Sequence, residues 1–221
     1  MRDHRRGRRG PAHGVRSRPR ERAGDQRPLT ACAARTLTSV PHKPPPLRAD
    51  ELFVPVSTVG DRWTGPLAEV GGKAVFTSAV TRAVLDGRAD LALHCSKDMP
   101  GDSPEPERMM CLYPRRDDVR DVLVDPGGRR LDDLPAGTRV GTSASRRIAQ
   151  LTVSHPHLAL VPVRGNADTR LALARTGETV DAVVLAGAGL RRIGREAEAT
   201  EVLDAHRMMP GLGAGQLAMQ T

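Results

Sequence analysis

The sequence is poor in aromatic residues, lysine and cysteine, and it contains no long hydrophobic run. Aromatic residues make up 2% of the 221 residues. The three cysteines, Cys32, Cys95 and Cys111, are too few and too widely spaced for a disulfide scaffold or a zinc cluster. No metal site is therefore expected, and a reducing compartment, the cytoplasm, fits best. No apolar run reaches the roughly 18 residues of a membrane-spanning helix, which excludes a protein that crosses a membrane on helices.

Positive charge is concentrated at the start of the chain. Lys+Arg total 34 against 26 for Asp+Glu, for a net charge of +8, but residues 1–50 alone carry +9 and the other 171 residues carry −1. This distribution describes a basic segment and not a basic folded domain, so no nucleic-acid partner is expected. Nucleic-acid binding through the segment alone remains an alternative, and it would be strongly salt-dependent.

Residues 1–46 are rich in arginine and proline and show no apolar periodicity. Such a segment cannot bury enough surface to offset the entropy lost on ordering, so a disordered tail is predicted. An organellar presequence and a start or reading-frame artefact are the alternatives, although a presequence would usually lack the acidic residues and the proline cluster found here. A secretory signal is not expected, because no apolar stretch follows the arginines.

From Leu52 onward, predicted strands alternate with predicted helices. Apolar strands are predicted at 52–58, 90–94, 121–124, 138–141, 158–163 and 181–186, and helices at 75–85, 145–153, 168–175 and 188–192. This alternation predicts an α/β fold with mainly parallel sheets. Such sheets bind ligands at the carboxyl ends of their strands, where the polar clusters 94–98, 142–147 and 164–170 lie.

Lys97 and Asp98 directly follow the strand predicted at 90–94. A cation and a carboxylate at a strand end can hold an anionic substrate and move a proton. A local surface ion pair is the alternative interpretation, since exposed pairs are common and weak.

Four arginines follow two other predicted strands: Arg146, Arg147, Arg164 and Arg170. Positive charge at a helix start opposes the helix dipole, so Arg146 and Arg147 favour an anion that binds there with the backbone N–H groups. The four arginines predict a site for several carboxylates or phosphates, with solvated surface arginines as the alternative.

Six segments occur in a fixed order: 71–76 (GGKAVF), 94–100 (HCSKDMP), 116–121 (RDDVRD), 141–147 (GTSASRR), 164–170 (RGNADTR) and 181–192 (DAVVLAGAGLRR). Their order and spacing resemble the porphobilinogen deaminase family, also called hydroxymethylbilane synthase. The resemblance runs from about residue 52 to 221.

The resemblance implies two periplasmic-binding-protein-like domains with mainly parallel sheets and an active site in the cleft between them. Domain one would comprise 47–114 and 209–221 and would be incomplete, and domain two would comprise 115–208. The family's usual first strand has no match, so the first sheet is expected to be short, with an exposed edge. The third domain, whose cysteine attaches the cofactor, is expected to be absent, and no cysteine of this chain matches that residue.

The resemblance also implies an activity. The family polymerises four porphobilinogen units into hydroxymethylbilane, with release of ammonia, on a covalently attached dipyrromethane cofactor in tetrapyrrole (heme) biosynthesis. Asp98 matches the catalytic aspartate, which assists protonation and stabilises a cationic azafulvene-like species. The positions that match cofactor-binding residues are Lys97, Ser143, Arg146, Arg147 and Arg170. The positions that match substrate-binding residues are Arg164, Arg170, Arg192, Lys73 and Phe76.

A monomer that acts on the small molecule porphobilinogen is therefore expected. Two alternatives stay open. One is an inactive fragment or paralogue that only binds pyrrole carboxylates, and the other is a periplasmic-type anion-binding protein.

Overall fold

The structure, a computed structural model, describes residues 32–34, 53–63, 65, 74–101 and 109–221, with 32–34 described by backbone alone. The strands, numbered in chain order, form two five-stranded sheets. Sheet one has the spatial order β2 (Phe53–Pro55), β1 (Cys32–Ala34), β3 (Leu91–Cys95), β10 (Leu217–Gln220) and β4 (Cys111–Leu112). Sheet two has the order β7 (Ala159–Val161), β6 (Arg139–Gly141), β8 (Ala182–Ala186), β5 (Asp121–Val124) and β9 (Glu201–Val202).

Five α-helices lie in the described part of the chain: α1 (Val59–Arg62), α2 (Ser78–Leu85), α3 (Ser145–Ser154), α4 (Ala167–Thr176) and α5 (Gly187–Arg192). Short 3₁₀ turns occur at Ser96–Asp98, Leu131–Asp133 and Glu196–Glu198. None of these helices has the length and apolar character needed to cross a bilayer. The predicted α/β class, and each strand and helix predicted from 52 to 192, are confirmed to within a few residues.

The expectation of mainly parallel sheets is wrong. Of the eight strand pairings among the described residues, six are antiparallel. The two parallel pairings are those of β6 with β7 and of β6 with β8. Parallel neighbours need a crossover helix, and α3 and α4 supply it there. The other pairings join segments far apart in the chain, for which the strand–helix alternation carries no signal.

Sheet one contains a strand from the segment predicted to be a disordered tail. β1 pairs with both β2 and β3, so that Cys32 lies between Pro55 and Leu93. The sheet is therefore not shortened at this position, contrary to expectation. Among the described strands, β2 lies at this edge of sheet one, which suits Pro55 because proline cannot donate to a second neighbour. The rest of residues 1–46 lies outside the described residues.

Sheet two is covered on both faces. Successive residues of β5 point to opposite sides, so that Leu123 packs with Leu151 of α3 on one face and Val122 packs with Leu171 of α4 on the other. Each leucine buried in this way contributes roughly 1.5–3 kcal/mol to folding. The sheet thus fixes the N-terminal ends of α3 and α4 next to the carboxyl ends of β6 and β7.

Two segments that connect the sheets lie side by side. The backbone N–H of Asp117 donates to the carbonyl of Gly215 at 3.0 Å, and Nε of Arg116 donates to the carbonyl of Ala214 at 2.8 Å. The first segment leads from β4 to β5 and the second returns from β9 to β10. This arrangement supports the predicted boundaries at 114/115 and 208/209, which stay a prediction.

Candidate active site

Asp98 lies in a 3₁₀ turn at the carboxyl end of β3. The N–H of Ser96 donates to the carbonyl of Gln216 at 2.9 Å, and the N–H of Met99 closes the turn onto Ser96 at 3.1 Å. Gly213 packs against the same turn, since a Cβ there would lie 2.7 Å from the backbone nitrogen of Lys97. The turn that carries Lys97 and Asp98 is therefore held by the returning segment 211–216.

The Asp98 carboxylate makes no hydrogen bond or ion pair with any described residue. Burial raises the pKa of Asp98 above its ordinary value, while Lys97 and Arg170 act to lower it. A carboxyl group with a raised pKa and a free oxygen is suited to give or accept a proton. The surface ion pair with Lys97, the alternative interpretation from the sequence, does not form in this structure.

Arg170 interacts electrostatically both with Asp98 and with the arginines that follow the strands of sheet two. Its Nε donates to the carbonyl of Gly165 at 2.9 Å. Burial lowers the pKa of Arg170, as do the charges of Arg147 and Arg164, against the raising influence of Asp98. Arg170 is therefore a half-buried cation among other cations, and it makes no ion pair with any described residue.

Arg146 and Arg147 share one buried carboxylate. Asp121 is 1% exposed, and it accepts bonds from Nε and Nη2 of Arg147 at 3.0 and 2.7 Å and lies 2.7 Å from Nη1 of Arg146. Burial alone would raise the pKa of Asp121, but the hydrogen bonds from Arg147 and Arg146 hold it below its ordinary value. The three charges leave an excess of one positive charge at the start of α3.

Three other predicted site residues donate to backbone carbonyls. Oγ of Ser143 donates to Val163 at 2.5 Å, and Nη2 of Arg192 donates to Gly215 at 2.8 Å. Arg164 reaches the other sheet, where its Nη2 donates to the carbonyls of Gly60 at 2.9 Å and Trp63 at 2.8 Å. The guanidinium groups of Arg164 and Arg192 thus lie where segments of the two sheets meet, whereas Ser143 bonds within the sheet-two side.

Phe76 lies beside Gly60, and Lys73 lies outside the described residues. The ring of Phe76 occupies the space that a side chain at Gly60 would need, with its Cε1 atom 2.2 Å from the position of a Cβ. The aromatic ring is therefore held near the carbonyl that Arg164 contacts.

Sequence reasoning missed the residues that hold the site together: Asp121, Gly60 and Gly213. Asp121 stands in a quoted motif, but its partners Arg146 and Arg147 follow about 25 positions later, and nothing local indicates the pairing. The two glycines are needed for close approach of other chain segments, which only the fold can show.

The site carries more positive than negative charge. Lys97, Arg164, Arg170 and Arg192 stand against Asp98, since Asp121 is already engaged by two arginines. Clustered cations repel one another, and a ligand with several carboxylates removes this cost. The arrangement is therefore suited to a multiply carboxylated molecule that reacts near Asp98.

A family model described as "Porphobilinogen deaminase, dipyromethane cofactor binding domain" matches residues 34–221. The chain belongs to the porphobilinogen deaminase family. This match confirms the resemblance in the sequence, and it covers every candidate site residue. The family acts on a small molecule, porphobilinogen, and the matched domain is the one that binds its dipyrromethane cofactor.

Curated porphobilinogen deaminases are similar along most of the chain. Porphobilinogen deaminase 2 of Streptomyces coelicolor is 55% identical over 168 residues, which are 76% of this chain and 53% of that protein. The porphobilinogen deaminase of Syntrophus aciditrophicus is 41% identical over 170 residues, covering 76% of this chain and 55% of that protein. The chain thus spans about half the length of the curated relatives it matches.

Solved structures give weaker similarity. A lipoprotein from Actinomyces odontolyticus has a TM-score of 0.40 at 14% identity, covering 63% of this chain and 65% of that chain. The periplasmic VFT2 domain of Bordetella pertussis BvgS has a TM-score of 0.34 at 20% identity, covering 64% and 58%. Similarity at this level supports no conclusion about function.

Proposed function

We propose that this chain forms the catalytic cleft of a hydroxymethylbilane synthase, in which four porphobilinogen units are joined head to tail with release of ammonia. The observation that carries the proposal is the half-buried Asp98 carboxylate, which has no partner among the described residues and lies near Lys97 and Arg170. A single free acid among cations is what a reaction that passes through a pyrrole cation requires.

The described residues fit a dipyrromethane cofactor. Such a group carries several carboxylates, and the excess of cations over carboxylates around Arg170 provides their partners. Lys97, Arg170 and the more exposed Arg146 would hold those carboxylates, while Arg147 keeps Asp121 in place. The N–H groups at the start of α3, where Ala144 offers no side-chain cap, would assist. When bound, the cofactor supplies the pyrrole to which the first substrate unit is joined.

Asp98 would act at two points. Burial raises its pKa and so favours the protonated carboxyl, which can maintain the substrate's leaving amino group in protonated form while the carbon–nitrogen bond breaks and the electron pair leaves with nitrogen. The ionised carboxylate then faces the pyrrole cation that remains, and it can accept the proton lost from the ring carbon when the new carbon–carbon bond has formed.

Arginine side chains would orient the substrate. Porphobilinogen carries an acetate and a propionate. Arg164, which follows β7, and Arg192, at the end of α5, donate to carbonyls of Gly60 and Gly215 on the segments that belong with sheet one. Bidentate guanidinium–carboxylate bonds would fix the ring so that its aminomethyl group meets Asp98.

The proposal also includes the chain's partners and its location in the cell. It requires porphobilinogen as a small-molecule partner, with a monomeric chain and neither nucleic acid nor membrane. A cytoplasmic location is supported by Cys95 and Cys111, the two cysteines with described side chains, which are both free thiols.

Ammonia release from porphobilinogen tests the proposal. Asp98→Asn should lower turnover by roughly 10²-fold or more, as removal of an acid–base group does. Asp133→Asn is the matched control, because Asp133 is exposed and its side chain has no partner among the described residues. Equal turnover by the Asp98→Asn variant would contradict the assignment. Intact mass of protein made in cells that produce porphobilinogen would show whether a dipyrromethane is attached.

A further inference from the structure

Arg164 bridges the two sheets. From its position after β7, its Nη2 donates to the carbonyls of Gly60 and Trp63 at 2.9 and 2.8 Å. These carbonyls lie at the C-terminal end of α1, where a helix leaves its last C=O groups without helical partners. Arg164 thus anchors the end of α1, which otherwise belongs to sheet one's side of the molecule.

Gly60 connects this anchor to an aromatic ring. Its N–H donates to the carbonyl of Val75 at 2.9 Å, and the Phe76 ring packs on its backbone so closely that a Cβ would lie 2.2 Å away. The Phe76 ring therefore packs directly on the backbone of Gly60, which we call the wall behind Phe76, while the carbonyl of Gly60 accepts a hydrogen bond from Arg164. Movement of α1 changes both contacts at once.

Arg164 and Phe76 are the positions that the family resemblance assigns to a substrate carboxylate and to a pyrrole ring. We propose that Gly60 is a positioning residue that couples them, so that a carboxylate which takes the guanidinium of Arg164 releases α1 and shifts the wall behind Phe76. The inference rests on the proposed function and names a conformational response of the same site.

The exchange is favourable on simple electrostatic grounds. A guanidinium–carboxylate hydrogen bond is roughly twice as strong as one between neutral groups, and stronger than one to a neutral carbonyl. A pyrrole carboxylate therefore competes well for Arg164 against the two carbonyls. The bond between the carboxylate and Arg164 would then compensate for the lost carbonyl bonds, and the freed α1 would let the Phe76 ring move.

The chain carries its own reporter of this exchange. Trp63, whose carbonyl accepts from Arg164, is the one tryptophan of the sequence, and its side chain is partly exposed. We would measure acrylamide quenching of its fluorescence without ligand in the unmodified chain, Arg164→Ala and Arg175→Ala. We expect a roughly twofold larger quenching constant for Arg164→Ala, because an element that loses its anchoring hydrogen bonds opens more often. Arg175→Ala should match the unmodified chain, because Arg175 is an exposed residue of α4 whose ion pair is with Glu198.

Porphobilinogen is then added, with binding measured separately by calorimetry. In the unmodified chain the quenching constant should rise to the Arg164→Ala value as the ligand binds. Gly60→Ala should bind ligand with an altered emission maximum before and after saturation, since the ring of Phe76 must move to admit the methyl group.

Two results would overturn the inference. One is equal quenching of the unmodified chain and Arg164→Ala without ligand. The other is calorimetric binding of porphobilinogen that leaves the quenching constant of the unmodified chain unchanged. Absence of calorimetric binding would contradict the proposed function and, with it, the ligand-driven exchange, whereas the ligand-free comparison reports on the anchor by itself.

Discussion

Arg147 and Asp121 form a two-bond pair that is buried on both sides, with Nε–Oδ2 at 3.0 Å and Nη2–Oδ1 at 2.7 Å. The remaining Nη1 of Arg147 donates to the carbonyl of Val184 at 2.8 Å. The pair thus joins α3 to β5 and β8, two neighbouring inner strands of sheet two. Arg147 is predicted to bind the cofactor, but its Nε, Nη1 and Nη2 atoms are all engaged by Asp121 and Val184. Arg146 is the more exposed of the two arginines.

Removal of the Arg147 side chain should destabilise the protein. Arg147→Ala leaves the Asp121 carboxylate buried with one partner instead of two, and breaking a buried pair costs about 3–5 kcal/mol. Urea denaturation would measure the free energy of unfolding. Arg191→Ala is the control, because its ion pair with Asp117 is more than half exposed on the arginine side and an exposed pair contributes little to stability. Equal losses in the two variants would argue against a structural role for Arg147.

Asp98→Asn should make the protein more stable at neutral pH. The folded-state pKa of Asp98 is raised by burial, so its contribution to stability is present below the unfolded pKa and is lost as the pH rises through the folded pKa. Asparagine does not ionise and avoids that loss. Denaturation midpoints should favour the variant at pH 7.5, and the difference should disappear as the pH approaches the ordinary aspartate value of 3.8. A variant that is less stable at pH 7.5 would show that Asp98 is not desolvated.

Asp118 should titrate at unusually low pH. Its pKa is lowered to about 2, first by the hydrogen bonds from the side chain of Arg120. A lowered folded pKa gives stability that is present above the unfolded value and is lost as the pH falls toward about 2. Arg120→Gln should move the pKa of Asp118 toward 3.8, which carboxyl-carbon NMR titration would detect. An unchanged titration would mean that Arg120 is not the cause.

Gly213→Ala should disturb the turn that carries Lys97. Both Gly213 (φ +67°) and Gly177 (φ +66°) have left-handed backbone, but a Cβ at Gly213 would lie 2.7 Å from the nitrogen of Lys97, whereas one at Gly177 meets nothing within 4 Å. Gly177→Ala is thus the matched control, and both variants should lose about 1–2 kcal/mol of stability from backbone strain alone.

The difference between these two variants should lie in ligand binding. Only Gly213→Ala should also weaken porphobilinogen binding, because its methyl group displaces Lys97 and Asp98 with the turn. Calorimetry on both folded variants would measure this, and equal affinity of the two would mean that the returning segment does not position the turn.

Gly60→Ala should cost more stability than another helical glycine. The methyl group would overlap the Phe76 ring, and overpacking of this kind costs about 1–3 kcal/mol. Gly189→Ala in α5, where a Cβ meets nothing within 4 Å, should instead stabilise by up to about 1 kcal/mol. Thermal unfolding of both variants would show the opposite signs, and a stabilising Gly60→Ala would contradict the packing described.

Local patterns in the sequence were sufficient to predict the βα units and the strand ends at which Asp98, Ser143 and Arg164 lie. They could not predict β1, whose three residues become a strand only because β2 and β3 provide partners on both sides. The antiparallel pairing of β10 with β3 and β4 could not be predicted either, since those partners lie more than a hundred residues away in the chain. Tertiary pairing overrides local propensity at such places.

The chemical types of the site residues were predictable, but their partners were not. Clustered arginines at strand ends predicted an anion site, and the family motifs assigned Asp98. That Arg147 is neutralised by Asp121, while Arg170 pairs with no described carboxylate, depends on distances between separate elements. The same is true of Arg164, whose contact with Gly60 and Trp63 connects residues about a hundred positions apart.

The most direct test of the central claim is calorimetric titration of the full chain with porphobilinogen, compared with folded Arg170→Ala. Arg170 provides a cation without a carboxylate partner in the described residues, so we expect binding by the unmodified chain, weakened roughly tenfold or more in the variant, as loss of a charge-assisted carboxylate bond of about 1.5–3 kcal/mol requires. The affinity should also fall as salt rises. Equal affinity of the two proteins, or no binding by either, would contradict a cleft built for pyrrole carboxylates.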